Sequence, residues 1–335
     1  MAGTVEREGV AKPRDLSDQI AVADSKKTIF TSMVKKGTAP SNVLLEWPVD
    51  SFPAASVDGA VDEADVTEFE DLGAPDEVLS TRLQIWERKP KVSRLSQVTV
   101  QAGVPKKKAY AKAYAKGLIM VKRDIEVTCL SDEECRVGTS KLGNKTRGLL
   151  RWAQSTAQSI YPVPEAYRTP ATSITTETIA NTDDDLISDL LKSRYDETGD
   201  GEAAITGIVG STLKLAYSKL SYWSKDNSGY TLVRRMNQDA AAKKIVKKID
   251  ILEMEFGTVI LRASSFINTG GDPTSAASRR LGIFFEEDDV SMRFATEPSG
   301  RPLPDQGGGP RALIEAIGAL IVKNPLTLAK HAPSA

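Results

Sequence analysis

Gly138-Thr-Ser-Lys-Leu-Gly143-Asn144-Lys145-Thr146 comes within one insertion of a phosphate-binding loop, which needs Gly, four residues, then Gly-Lys-Ser/Thr. In such a loop the backbone N–H groups and the lysine converge on the same phosphates, and Asn144 is inserted where they must meet. No buried strand leads into the segment, so it reads as a flexible loop. A nucleotide-binding enzyme built on 138–146 is the least favoured functional class. His331 is the only histidine and stands four residues from the C-terminus. Ser-His-Asp or Cys-His catalysis would need a frayed tail to supply the base, and His-based zinc or non-haem iron sites are excluded. Cys129 and Cys135 are the only cysteines, too few for a zinc site or a disulfide framework, and read as two reduced thiols. Asp62, Glu63 and Asp65 lack the glycine and terminal glutamate of an EF-hand loop. No catalytic set, cofactor site or metal site emerges.

What remains is charge, and it is segregated. The chain carries 44 basic and 45 acidic residues. Between Ser51 and Thr81 lie nine acidic residues and no Lys or Arg, whereas basic residues dominate from Arg82 to Arg94 and again from Lys106 to Arg123. Opposite blocks of this kind pair within a fold or between copies of it. The second basic block, with Tyr110 and Tyr114, invites a nucleic-acid reading. Those tyrosines, however, sit on an apolar stripe, where core packing accounts for them, and no recognised binding motif accompanies the charge. Any nucleic-acid contact would be non-specific and strongly salt-dependent.

These charges must be positioned by long elements. Pro105 to Leu130 reads as one helix of about 26 residues, spanning ~39 Å. Tyr110, Tyr114, Leu118, Val121, Ile125 and Cys129 draw a single apolar stripe along it, and Pro105 suits its first turn. Such a helix acts as a spine. Before it, residues 1–14 are polar. An amphipathic segment capped by Asp15 or Ser17 then runs toward Val34, with Leu16, Ile20, Ile29, Phe30 and Met33 as core positions. Leu44 to Val49 reads as a strand, followed by a long acidic excursion and a second strand-rich run over Thr81 to Val100. Together they make an extended hairpin arm that buries little by itself.

After the spine a helix is expected at Gly148–Ser159, loop at Tyr161–Thr182, and a helix at Asp183–Tyr195 ended by Gly199-Asp200-Gly201. A strand at Ala203–Val209 and a helix at Ser211–Leu220 follow. Strands are then expected at Tyr230–Arg234, Ile245–Met254, Thr258–Ala263 and Leu281–Phe285, with a Phe256-Gly257 turn, a Gly300–Pro310 loop and a last strand at Ala319–Val322. The class is α+β without internal repeats. The longest apolar run, Ala312 to Val322, is too short to span a bilayer, so no membrane partner is expected, and no secretory signal opens the chain.

Three pieces add a local likeness to this order of elements. They are Asp15-Leu-Ser-Asp-Gln-Ile-Ala-Val-Ala-Asp24 with Thr28-Ile-Phe-Thr-Ser-Met33 and Leu45-Glu-Trp47, Arg147-Gly-Leu-Leu150 with Trp152, and Phe256-Gly-Thr-Val-Ile260. Taken together, over roughly Asp15 to Lys330, they resemble the major capsid proteins of tailed bacteriophages, whose shell fold is shared with encapsulins. The resemblance implies an N-terminal arm (1–43), an extended loop reaching onto a neighbouring subunit (44–103), a peripheral domain (104–154 and 245–299) and an axial domain (155–244 and 300–335).

It further implies a non-enzymatic major capsid protein that self-assembles, as pentamers and hexamers, into an icosahedral shell around the phage genome. The alternative within the fold is an encapsulin-like compartment. Portal, scaffolding and decoration proteins and non-specific packaged DNA at the inner face are the partners, and the virion capsid, assembled in the host cytoplasm, is the location. No long coiled-coil-like scaffolding segment is seen, so a scaffold is expected to be a separate protein or removed beforehand. No pair for an isopeptide cross-link stands out. Asp62, Glu63, Asp65 and Glu68, with Arg82, Arg88, Lys89, Lys91 and Arg94, are the candidate inter-subunit contacts.

Overall fold

The computed structural model describes residues 26–52, 55, 57, 77–99, 108–220, 223–225, 231–233, 238–239, 244–245 and 249–333. Two sheets and one long helix organise them. The spine helix runs Ala109–Cys129, about 32 Å long, and its expected start at Pro105 lies outside the described residues. Val121, Ile125 and Cys129 are buried, and Tyr110, Tyr114 and Leu118 are half-buried, so the stripe faces inward as its spacing requires. Gly117 joins that face. A Cβ there would sit 2.5 Å from Ile314 Cδ1, so the missing side chain lets helix and sheet approach closely. At the other end the Asn268 side chain donates to the Val127 carbonyl (2.8 Å) and its backbone N–H to Leu130 (3.0 Å). These bonds satisfy carbonyls that a helix C-terminus leaves unpaired.

The spine lies on a four-stranded sheet ordered Lys35–Lys36, Val290–Leu303, Arg311–Val322 and Gln84–Arg88. Its centre is an antiparallel pair of 14 and 12 residues. Arg311–Val322 alternates, with Ala312, Ile314 and Ala316 buried, before becoming wholly buried from Gly318 onward. The expected Gly300–Pro310 loop and short Ala319–Val322 strand are thus corrected: both belong to this pair, whose loop is only 304–310. Pro298, Gly300 and Pro302 are accommodated beside two register shifts, between Phe294 and Ser299. Tyr114 donates its O–H to the Gly300 carbonyl at 3.0 Å.

The second sheet has six strands in the order Ile251–Met254, Gly257–Ala263, Ala204–Val209, Gly282–Glu286, Ala329–His331 and Ile174–Thr175. Period-two alternation divides its side chains between two cores. Ile208, Ile283 and Phe285 join the spine core, whereas Ile205, Val209 and Phe284 face the helices Asp184–Thr198 and Ser211–Lys219. The first of these helices is capped by Asp183, which accepts from the Leu186 N–H (3.1 Å), and ends at Gly199 in the left-handed region. The helix expected over Gly148–Ser159 is only Leu149–Trp152.

Residues 251–263 and 282–286 share a sheet with 204–209, while 290–322 lie against the spine. His331 is corrected too. It is no frayed tail but a fully buried residue of a sheet strand. Its Nδ1 accepts from the Tyr217 hydroxyl (2.7 Å), and its Nε2–H donates to the Glu177 carbonyl (3.3 Å). Burial pushes its pKa down to about 4.

Candidate assembly surfaces

The arm begins as an antiparallel pair, Leu44–Val49 with Glu77–Arg82. Its second strand starts earlier than expected. The segment 81–100 is divided among this pair, the sheet strand Gln84–Arg88 and a one-turn helix, Arg94–Val98, where strand was expected. Ser93 caps that turn by accepting from the Ser96 N–H at 3.1 Å.

The root of the arm is not free-standing. Leu45, Trp47 and Leu79 are buried in the spine core, and Trp47 packs on Trp152 with ring centroids 5.7 Å apart. Thr81 and Thr146, both buried, share a hydroxyl contact of 3.3 Å. Beneath this root lies the Arg147-Gly148-Leu149-Leu150 segment. The Arg147 guanidinium is fully buried, stacks over Trp152 at 4.4 Å, and donates to Glu134 (2.9 Å) and to the Ile160 and Tyr161 carbonyls. Arg151 donates to the second Glu134 oxygen at 2.9 Å. Burial works to raise the Glu134 pKa, but the Arg147 charge and these hydrogen bonds outweigh it and hold the carboxyl below its usual range. Gly148 passes against the Ser131 backbone, where a Cβ could not fit. This latch accounts for the residue types of the sequence motif.

Beyond the root the picture reverses. Phe52 and Val57 are fully exposed. Of the candidate contacts, Asp62, Glu63, Asp65 and Glu68 lie outside the described residues. The basic candidates are described, and four of the five are engaged within the chain. Arg82 donates to the Tyr161 hydroxyl (2.9 and 2.7 Å), Arg88 makes a two-pronged pair with Asp124 (2.6 and 2.5 Å), and Arg94 reaches Asp305 (3.1 Å). Lys89 lies beside Glu87 (2.6 Å), and Lys91 is exposed. Sequence alone could not reveal the partners Tyr161, Asp124 and Asp305, since only the tertiary fold brings them near.

A second anchor escaped the sequence reading. Glu126, fully buried on the spine, accepts from the backbone N–H groups of Phe30 (2.8 Å) and Thr31 (2.7 Å), tying the N-terminal segment down where Phe30 enters the core. Burial raises its pKa against those bonds. An acidic residue beside the buried Ile125 of the spine was the available signal. The 138–146 segment is a turn closed on itself. Asn144 Oδ1 accepts from the Gly138 N–H (2.6 Å) and Lys145 pairs with Glu133 (2.9 Å), so the groups a phosphate would need are already bonded. Cys129 and Cys135 are buried free thiols. Among the described residues no group of metal-binding side chains occurs, and no helix is long and apolar enough to cross a membrane.

The whole arrangement has the architecture of a viral shell subunit. The chain superposes on the capsid of an empty GTA particle with a TM-score of 0.62 at 12% identity, covering 100% of this chain and 99% of that one. For a Gordonia phage Cozz chain the score is 0.58 at 14% identity, with 97% and 92% covered. For the capsid of Myoviridae phage XM1 it is 0.56 at 11% identity, with 98% and 100% covered. A search of curated proteins found no match. The SU10 major capsid protein family model matches residues 2–332, and the chain belongs to that family. It is a major capsid protein, a structural component of the virion shell.

Proposed function

We propose that the protein builds a closed icosahedral shell from pentamers and hexamers and encloses the phage genome without any catalytic step. The single observation that carries this reading is the contrast along the arm, a root locked into its own core and, just beyond it, fully exposed Phe52 and Val57. Exposed large apolar groups beside a packed root mark a surface awaiting a partner. In a shell of identical subunits, contacts that are weak singly become strong by multiplicity.

In this reading residues 1–43 are the N-terminal arm and 44–103 the extended loop. The spine and the four-stranded sheet form the peripheral domain, and the six-stranded sheet with its two helices forms the axial domain. Assembly takes place in the host cytoplasm, with portal, scaffolding and decoration proteins as further partners. The acidic residues Asp62, Glu63, Asp65 and Glu68 meet basic surface on the adjacent copy. Arg82, Arg88 and Arg94 are tied to residues distant in sequence, whereas Lys89 meets only its exposed near neighbour Glu87 and Lys91 is exposed, so Lys89 and Lys91 are the basic candidates best placed to act across the interface. Electron microscopy of the purified chain, with extraction of nuclease-protected contents, tests the proposal. Closed shells holding DNA are expected. Shells holding enzyme cargo would point to an encapsulin-like compartment, and a lasting monomer would refute assembly.

A further inference from the structure

The spine helix has a second face that its packing does not explain. Lys108, Lys112 and Lys116 follow one another at steps of four, and Lys122 continues the exposed side one and a half turns on. At 100° per residue Lys108, Lys112 and Lys116 lie on the side turned away from the stripe that ends in Val121, Ile125 and Cys129, and Lys122 lies on the flank of that stripe, still exposed. No Asp or Glu occurs between Glu87 and Asp124, and none of the four lysines forms an ion pair with a described residue. Like charges at four-residue spacing destabilise a helix by roughly 0.2–0.5 kcal/mol per pair, and cations near its N-terminus oppose the macrodipole. The row therefore weakens the element on which the spine core is built. It ends at a groove of about 850 Å³ where Lys122 and Ile119 face Lys26 and Lys27.

We propose that this lysine row, about 21 Å long from Lys108 to Lys122, is the surface on which the shell subunit holds the phosphate backbone of packaged nucleic acid. The inference rests on the shell reading and assigns that reading's nucleic-acid partner to a named surface. Interfaces between protein copies are enriched in aromatics and Arg and depleted in Lys. The row has no aromatic anchor, and the one arginine on this face, Arg123, donates to the Lys26 carbonyl at 3.2 Å. Mobile, strongly hydrated point charges suit a polyanion of any sequence, whose bound counterions each lysine displaces. The charge deficit of the helix is then offset only when the polyanion is present.

The test is a full-length K112Q/K116Q/K122Q variant, which keeps helix propensity because Gln and Lys are near equals. A K112R/K116R/K122R variant serves as the charge-retaining control. Binding of a random-sequence duplex DNA fragment to unassembled subunits is measured against salt, and shell yield is measured by electron microscopy. The Gln variant is expected to form shells at wild-type yield while the slope of log K against log salt becomes shallower by about 2.7, with the Arg variant restoring it. Unchanged affinity and slope in the Gln variant would overturn the proposal. So would loss of shells in the Gln variant with rescue by Arg, which would mean that the row meets the acidic arm of a neighbouring copy. Failure of the wild-type chain to form shells would instead refute the shell reading and leave the DNA measurement to stand by itself.

Discussion

The paired root of the arm and the residues that follow it, Phe52 and Val57, answer to different demands. At the root, alternation places Leu45, Trp47 and Leu79 in the same core as the spine, with the buried Arg147–Glu134 latch beneath. Just beyond it, Phe52 and Val57 are fully exposed. The difference teaches that the subunit packs its own arm up to about Val49 and leaves Phe52 and Val57 exposed, which is where the proposed reading places a neighbouring copy. Folding and assembly are thereby assigned to adjacent residues of one element, and mutations separate them.

The largest effect is expected at the root. Trp47→Ala removes the ring packed against Trp152 and should cost about 3–5 kcal/mol of stability by denaturant titration. It should abolish assembly only as a consequence of unfolding. Next comes acid sensitivity, which tests whether a buried site remote from the arm governs the fold. His331 is neutral when folded, with its pKa lowered to about 4 from the ordinary 6.5. Its full contribution is present above pH 6.5. As pH falls from 6.5 toward 4 the unfolded chain takes up a proton that the folded chain refuses, so stability drops by about 3 kcal/mol across that window. Below pH 4 this loss levels off. In His331→Gln the pH dependence of the unfolding midpoint should flatten over the same range.

Smaller again is the flank of the arm. Lys89→Glu with Lys91→Glu should leave the unfolding midpoint within about 0.5 kcal/mol of wild type, since both are surface positions. Particle yield should fall, and fall further at low salt, where screening is weakest. The corresponding change at Arg88 would be a poorer probe, because it also breaks the pair with Asp124. Smallest in stability is the tip itself. Phe52→Ser with Val57→Ser should not lower the unfolding midpoint of the subunit, yet should reduce shell yield more than the lysine changes do. A stability loss there comparable to Trp47→Ala would erase the distinction between root and tip.

Much of this organisation could be read from residue spacing. The spine declared itself through Tyr110, Tyr114, Leu118, Val121, Ile125 and Cys129, because a single stripe at 3.6-residue spacing has no competing explanation. Asp183 and Gly199 marked both ends of the helix Asp184–Thr198 for local reasons, a cap and a left-handed residue. The long pair Val290–Leu303 and Arg311–Val322 was illegible, since Pro298, Gly300 and Pro302 spell a loop and Ala312 and Ala316 are too small to signal a buried face. What makes them strand is the partner strand and the spine above it. Val92, Leu95 and Val98 were read as part of a strand run, although their three-residue spacing fits the helical turn that Ser93 caps. Of the candidate contacts, the sequence correctly marked a charged region but could not say which charges were committed. The bond from Arg88 to Asp124 spans 36 positions and that from Arg94 to Asp305 spans 211.

Hydrogen exchange on the unassembled subunit and on the shell tests the central claim most directly. Amides of Leu44–Val49 and Glu77–Arg82 should be protected equally in both, while those around Phe52 and Val57 should gain protection only in the shell. Protection of the tip already present in the isolated subunit, or exchange there unchanged by assembly, would contradict the account.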